Sequence, residues 1–159
     1  MDFNITIYKS LLYSLQNQDY RFHTFLSSLS FLNRNTNLKR DIEGTNMSFL
    51  KNKEKHTSEV ENKHIILRHD VDLLPKNSLK FAIIQSKLGI KGTYYFRSVP
   101  ESWNENIIKE IKTLGHEVGY HYENMDTCNG DIDKAWDDFR YNLDKLRTYY
   151  SKYLYLYSK

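Results

Sequence analysis

The pattern of hydrophobic and polar positions predicts strands and helices that alternate along the second part of the chain. Three segments carry apolar residues at helical spacing: Asn77–Leu88, Glu105–Leu114 and Asp131–Tyr150. Three short β-rich runs precede these helices: His64–Arg68, Gly92–Arg97 and Glu117–His121. Gly89 and Gly115 follow the first two helices and are typical helix C-terminal caps. Strands that alternate with helices indicate parallel β/α units, so the predicted fold class is α/β.

The N-terminal part has a different pattern. Residues 7–32 predict two short helices with a break near residues 17–20, and Thr24 is a candidate cap for the second helix. A polar stretch, residues 33–63, predicts a mobile insertion. The aromatic tail Tyr153–Tyr157 predicts the start of a further strand. The predicted organisation is a helical lead (1–32), the insertion (33–63) and a β/α domain (64–159).

Composition narrows the function classes. The chain has 159 residues, which suits one domain with a real core. A formal charge of +3, without a basic cluster interleaved with aromatic residues, argues against nucleic-acid binding. Cys128 is the only cysteine, so an intrachain disulfide is impossible. The N-terminus lacks the pattern of a secretory signal and no apolar run reaches the ~20 residues of a membrane helix, so we expect a cytoplasmic protein without a membrane partner.

Two aspartates at the end of the first predicted strand are candidates for chemistry. Asp70 and Asp72 are two residues apart, and such residues of an extended chain point to the same face. The carboxyl ends of parallel strands are where α/β folds carry their active sites. The two carboxylates could therefore converge on one site. In the alternative interpretation Asp72 caps the following segment and Asp70 pairs with Arg68.

The end of the third predicted strand offers a histidine and a carboxylate with the same spacing. His121 and Glu123 could face the cleft together with the aspartates, and imidazole with carboxylates is a ligand set for zinc or a similar divalent ion. Alternatively, His121 is a buried structural histidine. His116 lies at the start of the strand on the opposite face, where a structural role is expected. Arg97 could hold a substrate group or neutralise Asp70.

Three ordered motifs resemble the polysaccharide deacetylase superfamily (carbohydrate esterase family 4-like). They are Ile65–Asp72, Thr93–Arg97 and Gly115–Glu123. The most similar branch is that of bacterial deacetylase-like proteins linked to surface polysaccharides. The N-terminal lead and the Gly130-Asp131 entry into the long helix are also similar to that branch, so the resemblance covers most of the chain outside the insertion.

This resemblance implies a distorted (β/α) barrel, of which the chain would form the front half after its helical lead. The implied activity is metal-dependent removal of an acetyl group from an N-acetylated or O-acetylated saccharide. Asp70 matches the general base, Asp72 the metal carboxylate and His121 the first metal histidine. The implied cofactor is a divalent metal, zinc by expectation, and Arg97 and Tyr122 are expected to bind the substrate.

The chain departs from the family pattern in two respects. A second metal histidine is usual four residues after the first, where this chain has Met125. A thioether is a poor ligand for such a cation, so Glu123 is the expected third ligand. The chain also ends at Lys159, before the later strands of the family, which predicts a truncated protein that is inactive alone and self-associates through an open sheet edge. The alternatives are a metal-dependent amide hydrolase acting on a non-sugar C–N bond and an inactive, glycan-binding remnant.

Overall fold

The computed structural model describes residues 4–29 and 63–154, with side chains to residue 149. Five strands are described: β1 (Tyr20–His23), β2 (Lys63–Ile66), β3 (Arg68–Val71), β4 (Thr93–Phe96) and β5 (Glu117–Tyr120). The helices are α1 (Ile5–Asn17), α2 (25–29), α3 (Pro75–Lys87), α4 (Glu105–Thr113), α5 (Asn124–Thr127) and α6 (Ile132–Leu154). Among these residues no helix is long and apolar enough to cross a membrane.

The strands form two small parallel sheets, which confirms the α/β class. β1 pairs with β2 in one sheet, and β3, β4 and β5 form the other in that order. The described part of the chain contains no closed barrel, so the barrel remains a prediction. Each crossover within the three-stranded sheet carries a helix, α3 after β3 and α4 after β4, as parallel pairing requires.

The predicted strand His64–Arg68 is wrong in one respect, because it is divided between the two sheets. β2 ends at Ile66, Leu67 lies between the strands, and β3 begins at Arg68 and continues to Val71. Leu67 packs against the smaller of the two apolar clusters, and its carbonyl accepts a hydrogen bond from the Thr93 amide at 2.9 Å. An uninterrupted apolar run gives no sign of a change of sheet, since periodicity alone cannot separate two strands without a turn between them.

The N-terminal lead is only partly helical. α1 ends at Asn17 as expected, but residues 20–23 form β1 after a turn in which Asp19 has a φ of 63°. The predicted cap of the second helix is confirmed, since the Ser27 amide donates to Thr24 Oγ1 at 3.2 Å. Of the predicted insertion 33–63, only Lys63 lies within the described residues, where it begins β2.

Two further boundaries differ from the prediction. Helix α3 begins at Pro75, a residue favoured in the first helical turn because its missing N–H has no helical partner to lose. Helix α6 continues through Tyr153 and Leu154, so the predicted strand is wrong at these two residues. The aromatic residues have β propensity, but here they continue an established helix. Tyr155–Tyr157 lie outside the described residues.

The larger apolar core lies between the three-stranded sheet and the helices. Its buried members are Val71, Ala82, Tyr94, Phe96, Ile107, Ile108 and Ile111. A smaller cluster joins α1 to the domain through Tyr8, Leu12, Ile84 and Ile90. The N-terminal helix therefore packs on the β/α units through its own apolar face.

A buried glutamine connects the two clusters. Gln85 is fully buried, and its Nε2 lies 2.5 Å from the Tyr8 hydroxyl and 2.6 Å from His69 Nε2. Its Oε1 accepts a hydrogen bond from the Tyr94 hydroxyl at 2.8 Å. The His69 ring also stacks on the Tyr94 ring, with centroids 4.4 Å apart. Because both ends of the amide have partners, this polar group is satisfied inside the core.

We predict that Gln85→Leu lowers the free energy of unfolding by about 2–4 kcal/mol, because the buried partners of the amide lose their hydrogen bonds. Gln18→Leu is the matched control, since the Gln18 side chain donates to Ser14 on the surface and its loss is expected to cost less than about 0.5 kcal/mol. Urea unfolding measures both. Equal losses in the two variants would show that the buried amide does not stabilise the fold.

A second prediction concerns pH. Burial, with a smaller contribution from the nearby His116, lowers the pKa of His69 from 6.5 to about 4. Between these pH values the unfolded chain binds a proton at His69 that the folded protein does not. The contribution of His69 to the free energy of unfolding is therefore fully present above pH 6.5 and is lost as the pH decreases towards 4. The loss from this residue is about 3 kcal/mol.

Urea unfolding at a series of pH values measures this dependence. In His69→Phe, which keeps an aromatic ring but cannot titrate, the dependence should be clearly weaker. The lowered pKa values of His23 and His116 act in the same direction, so a weaker residual dependence is expected in the variant. Identical pH profiles for the two proteins would contradict the assignment to His69.

Candidate metal site at the carboxyl ends of the sheet

The register of the three-stranded sheet places predicted site residues in one row at the carboxyl ends of the strands. Val71 is paired with Phe96, and Phe96 is paired with Tyr120. The next residue on each strand is Asp72, Arg97 or His121, so all three follow the same row of pairs. The His121 amide continues the ladder by donating to the Phe96 carbonyl at 2.9 Å. Parallel pairing therefore aligns residues that lie far apart in sequence.

The face of the sheet turned away from the helices is polar. Arg68 and Asp70 lie on this face, whereas Val71 packs in the core on the other side. The Tyr95 ring lies over Gly119, where a Cβ would be only 2.5 Å from Tyr95 Cε1. Glycine is therefore needed at this position for the ring to lie flat against β5.

Helix α2 contacts the amino ends of the strands. The amide of Phe25 donates to Thr93 Oγ1 at 3.1 Å, and that of Leu26 donates to Glu117 Oε2 at 2.9 Å. These are N-terminal helix amides, which have no partner within their own helix. The sheet thus supplies their acceptors and holds the N-terminal lead at the end of the strands opposite to the candidate site.

Asp72, His121 and Glu123 are brought together, as the sequence predicted. One potential ligand atom from each lies within 4.8 Å of the others, and Asp72 Oδ1 is 3.1 Å from His121 Nδ1. Nδ1 is buried, and it has no hydrogen-bond partner among the residues that the structure describes. The contact with Asp72 is therefore close but lacks the direction of a hydrogen bond. Two carboxylates and an imidazole are a set of donors that could hold a divalent cation.

Glu123 is also paired with Arg97. Arg97 Nη2 lies 2.5 Å from Glu123 Oε2, and both side chains are partly exposed. The sequence interpretation gave Arg97 either a substrate group or Asp70 as its partner. In the structure Glu123 takes the place of Asp70, and the contact with a substrate stays a prediction. A carboxylate has two oxygens, so the contact with Arg97 leaves Oε1 of Glu123 for a cation.

Asp70 is not part of this triad. Arg68 Nε donates to Asp70 Oδ1 at 2.8 Å, and the Arg68 guanidinium lies 4.7 Å from the centre of the Tyr95 ring. The structure thus agrees with the interpretation in which Asp70 pairs with Arg68. One oxygen of Asp70 is held by this bond, and the other is available to a water molecule or a substrate proton.

His116 has a structural position, as predicted. It is buried, its Nδ1 accepts from the Gly92 amide at 3.1 Å, and its Nε2 lies 2.9 Å from the Ala82 carbonyl. The two contacts indicate that Nε2 carries the proton. With both ring nitrogens occupied on the core side of the sheet, His116 does not replace Glu123 as a ligand.

A small polar cavity behind the triad was not predicted from the sequence. Its volume is about 150 Å³, and its lining includes Arg97, His121 and Glu123, which follow the strands, Asn124 of α5 and Asp138 of α6. The side-chain nitrogen Nδ2 of Asn124 donates to Asp138 Oδ2 at 2.5 Å. The other side-chain atom, Asn124 Oδ1, is buried and has no hydrogen-bond partner among the described residues. No local pattern could have shown the contact between Asn124 and Asp138, because it joins α5 to a residue of α6 that lies 14 positions later in the sequence.

Tyr122 and Met125 belong to a different surface. The Tyr122 ring is 66% exposed and meets the Phe139 ring edge to face, and Phe139 stacks on Trp136. We define the aromatic groove as Tyr122, Met125, Ile132, Ala135, Trp136 and Phe139. Met125 is thus part of a hydrophobic surface. It occupies the position at which the sequence resemblance would place a second metal histidine.

Comparison of the chain with models of protein families, with curated proteins and with solved structures gives no match in any of the three.

Proposed function

We propose that the protein is a metal-dependent deacetylase-like hydrolase that acts on acetylated saccharides and holds a divalent ion, zinc by preference, between Asp72, His121 and Glu123. The observation that carries the proposal is that one donor atom from each of these three residues lies within 4.8 Å of the others. In addition, His121 Nδ1 is buried and has no hydrogen-bond partner in the described part of the chain. Three protein ligands with open positions are typical of catalytic zinc sites. The sequence resemblance to polysaccharide deacetylases supports the same assignment.

The residues around the triad have complementary roles in this proposal. A bound divalent ion would act as a Lewis acid towards the acetyl carbonyl. Asp70, oriented by Arg68, accepts the proton of the attacking water. Arg97 orients Glu123 through their ion pair, and its remaining N–H groups bind the substrate. Tyr122 binds the substrate through its exposed aromatic ring, which lies in the aromatic groove.

The aromatic groove favours a second candidate function, binding of a glycan without cleavage. Exposed aromatic rings such as Tyr122 and Trp136 offer flat apolar faces with polar tips, which suit amphipathic ligands. A protein that binds zinc and an acetylated oligosaccharide but releases no acetate would have this function. Release of the acyl group from small non-sugar amides, without activity on saccharides, would indicate the amide hydrolase instead.

We predict that the protein binds one zinc ion and that Asp72→Asn and His121→Asn each weaken zinc binding by more than about 10-fold, since even partners of metal ligands contribute about 10–100-fold to affinity. Asp126→Asn is the matched control, because Asp126 is a carboxylate in the neighbouring helix α5 but not in the triad. Isothermal titration calorimetry measures the affinities. The metal assignment is wrong if the three variants bind zinc as tightly as the unmodified protein.

The role of Asp70 predicts a different outcome for its amide variant. Asp70→Asn should leave zinc affinity nearly unchanged, because Asp70 lies outside the triad. It should lower the rate of acetate release from N-acetylated oligosaccharides by ~10²–10⁴-fold, the usual contribution of a general base. Acetate is measured by an enzyme-coupled assay, with Asp126→Asn again as the control. Unchanged turnover would remove Asp70 from the mechanism.

A further inference from the structure

Ser102 occupies an unusual position between the carboxyl ends of β3 and β4. Its side chain is fully buried. Its hydroxyl accepts a hydrogen bond from the Arg97 amide at 3.1 Å and donates one to the Val71 carbonyl. Val71 directly precedes Asp72, and Arg97 is the partner of Glu123. One hydroxyl group thus connects the two chain segments that carry these site residues.

The backbone ladder shows what this hydroxyl replaces. At the start of the β3–β4 pair the Thr93 amide donates directly to the Leu67 carbonyl. Parallel ladders repeat every two residues, so the corresponding bond four residues later would join the Arg97 amide to the Val71 carbonyl. Ser102 Oγ lies between these two groups instead. Across the β4–β5 pair, the equivalent final bond is direct, from the His121 amide to the Phe96 carbonyl at 2.9 Å.

We propose that Ser102 is a positioning residue of the metal site, which holds the ends of β3 and β4 apart at the level of Asp72 and Arg97. This proposal rests on the proposed metal-binding function. Without the hydroxyl, the Arg97 amide and the Val71 carbonyl either lose their partners or close into a direct bond. Both results move Asp72 relative to Arg97, and through Arg97 they also change the position of Glu123.

Ser102→Ala tests the proposal, with Ser28→Ala as the matched control. The Ser28 hydroxyl is also buried and also donates to a backbone carbonyl, that of Phe25 at 2.7 Å, but at the opposite end of the strands. We expect Ser102→Ala to weaken zinc binding by about 10–100-fold, the usual effect of losing a group that orients a ligand. Ser28→Ala should bind zinc like the unmodified protein. Equal zinc affinity in all three proteins would overturn the proposal, even if Ser102→Ala were less stable.

A measurement without metal separates this proposal from the proposed function. In ¹H–¹⁵N spectra of the metal-free protein, Ser102→Ala should shift the amide resonances of Asp72 and Glu123 and speed hydrogen exchange at the Arg97 amide. If the unmodified protein binds no zinc, the proposed function fails, and these shifts alone decide whether Ser102 positions the two carboxylates. Changes confined to the Arg97 amide and to the Asp72 amide, which shares a peptide group with the Val71 carbonyl, would show only a structural hydrogen bond.

A second variant covers the case in which Ser102→Ala does not fold. Ser102→Cys keeps an atom at the position of the hydroxyl oxygen but hydrogen-bonds weakly. It is expected to show the same resonance shifts and a smaller loss of zinc affinity. Unshifted Asp72 and Glu123 resonances in Ser102→Cys, together with unchanged zinc affinity, would overturn the proposal.

Discussion

Parallel pairing of β3, β4 and β5 is the constraint on which the candidate site depends. The pairs Val71–Phe96 and Phe96–Tyr120 set one row across the sheet, and the next residue of each strand enters the site. Neighbouring strands are about 4.8 Å apart, so Asp72 and His121 can meet only by reaching across β4. A shift in register of one residue would turn the aligned side chains to the opposite face. The core packing that fixes this register therefore also fixes the site.

Charge is balanced differently at each carboxylate of the polar face. Asp70 is paired with Arg68 at 2.8 Å, and Glu123 with Arg97 at 2.5 Å. Asp72 instead faces an imidazole, His121, at 3.1 Å. Among the described residues, a divalent cation at the triad would contact Asp72, which has no arginine partner, and Glu123, whose Oε1 is not used in the pair with Arg97. Ordinary surface ion pairs join one acidic to one basic side chain and contribute little to stability. The triad differs from them because its two carboxylates share one imidazole.

The sequence predicted the features that arise from local patterns. Helical spacing located α3, α4 and α6. The i, i+2 spacing predicted that His121 and Glu123 face the same side, and in the structure both have a potential ligand atom close to one of Asp72. The features that it did not predict depend on contacts between distant residues. Strand β1 needs β2 as its partner, and the division at Leu67 follows from the pairing of β3 with β4.

The sequence also did not predict the detailed contacts within the site. The partner of Arg97 is Glu123, and this choice depends on the conformation of the short segment between β5 and α5. Ser102 lies in a loop with no recognisable motif, yet its hydroxyl lies between two backbone groups of neighbouring strands. Such positions follow from tertiary packing, which no periodicity or residue spacing along the chain records.

The central claim is that Asp72, His121 and Glu123 share one divalent ion, and the most direct measurement is a crystal structure of the zinc-loaded protein with anomalous scattering at the zinc edge. We expect a single strong anomalous peak, with a nitrogen of His121 and oxygens of Asp72 and Glu123 at ~2.0–2.2 Å from the ion. A peak elsewhere, such as at the neighbouring imidazoles of His23 and His64, whose Nε2 and Nδ1 atoms lie 2.8 Å apart, would contradict this claim. So would a triad that binds no zinc while the Arg97–Glu123 pair stays intact.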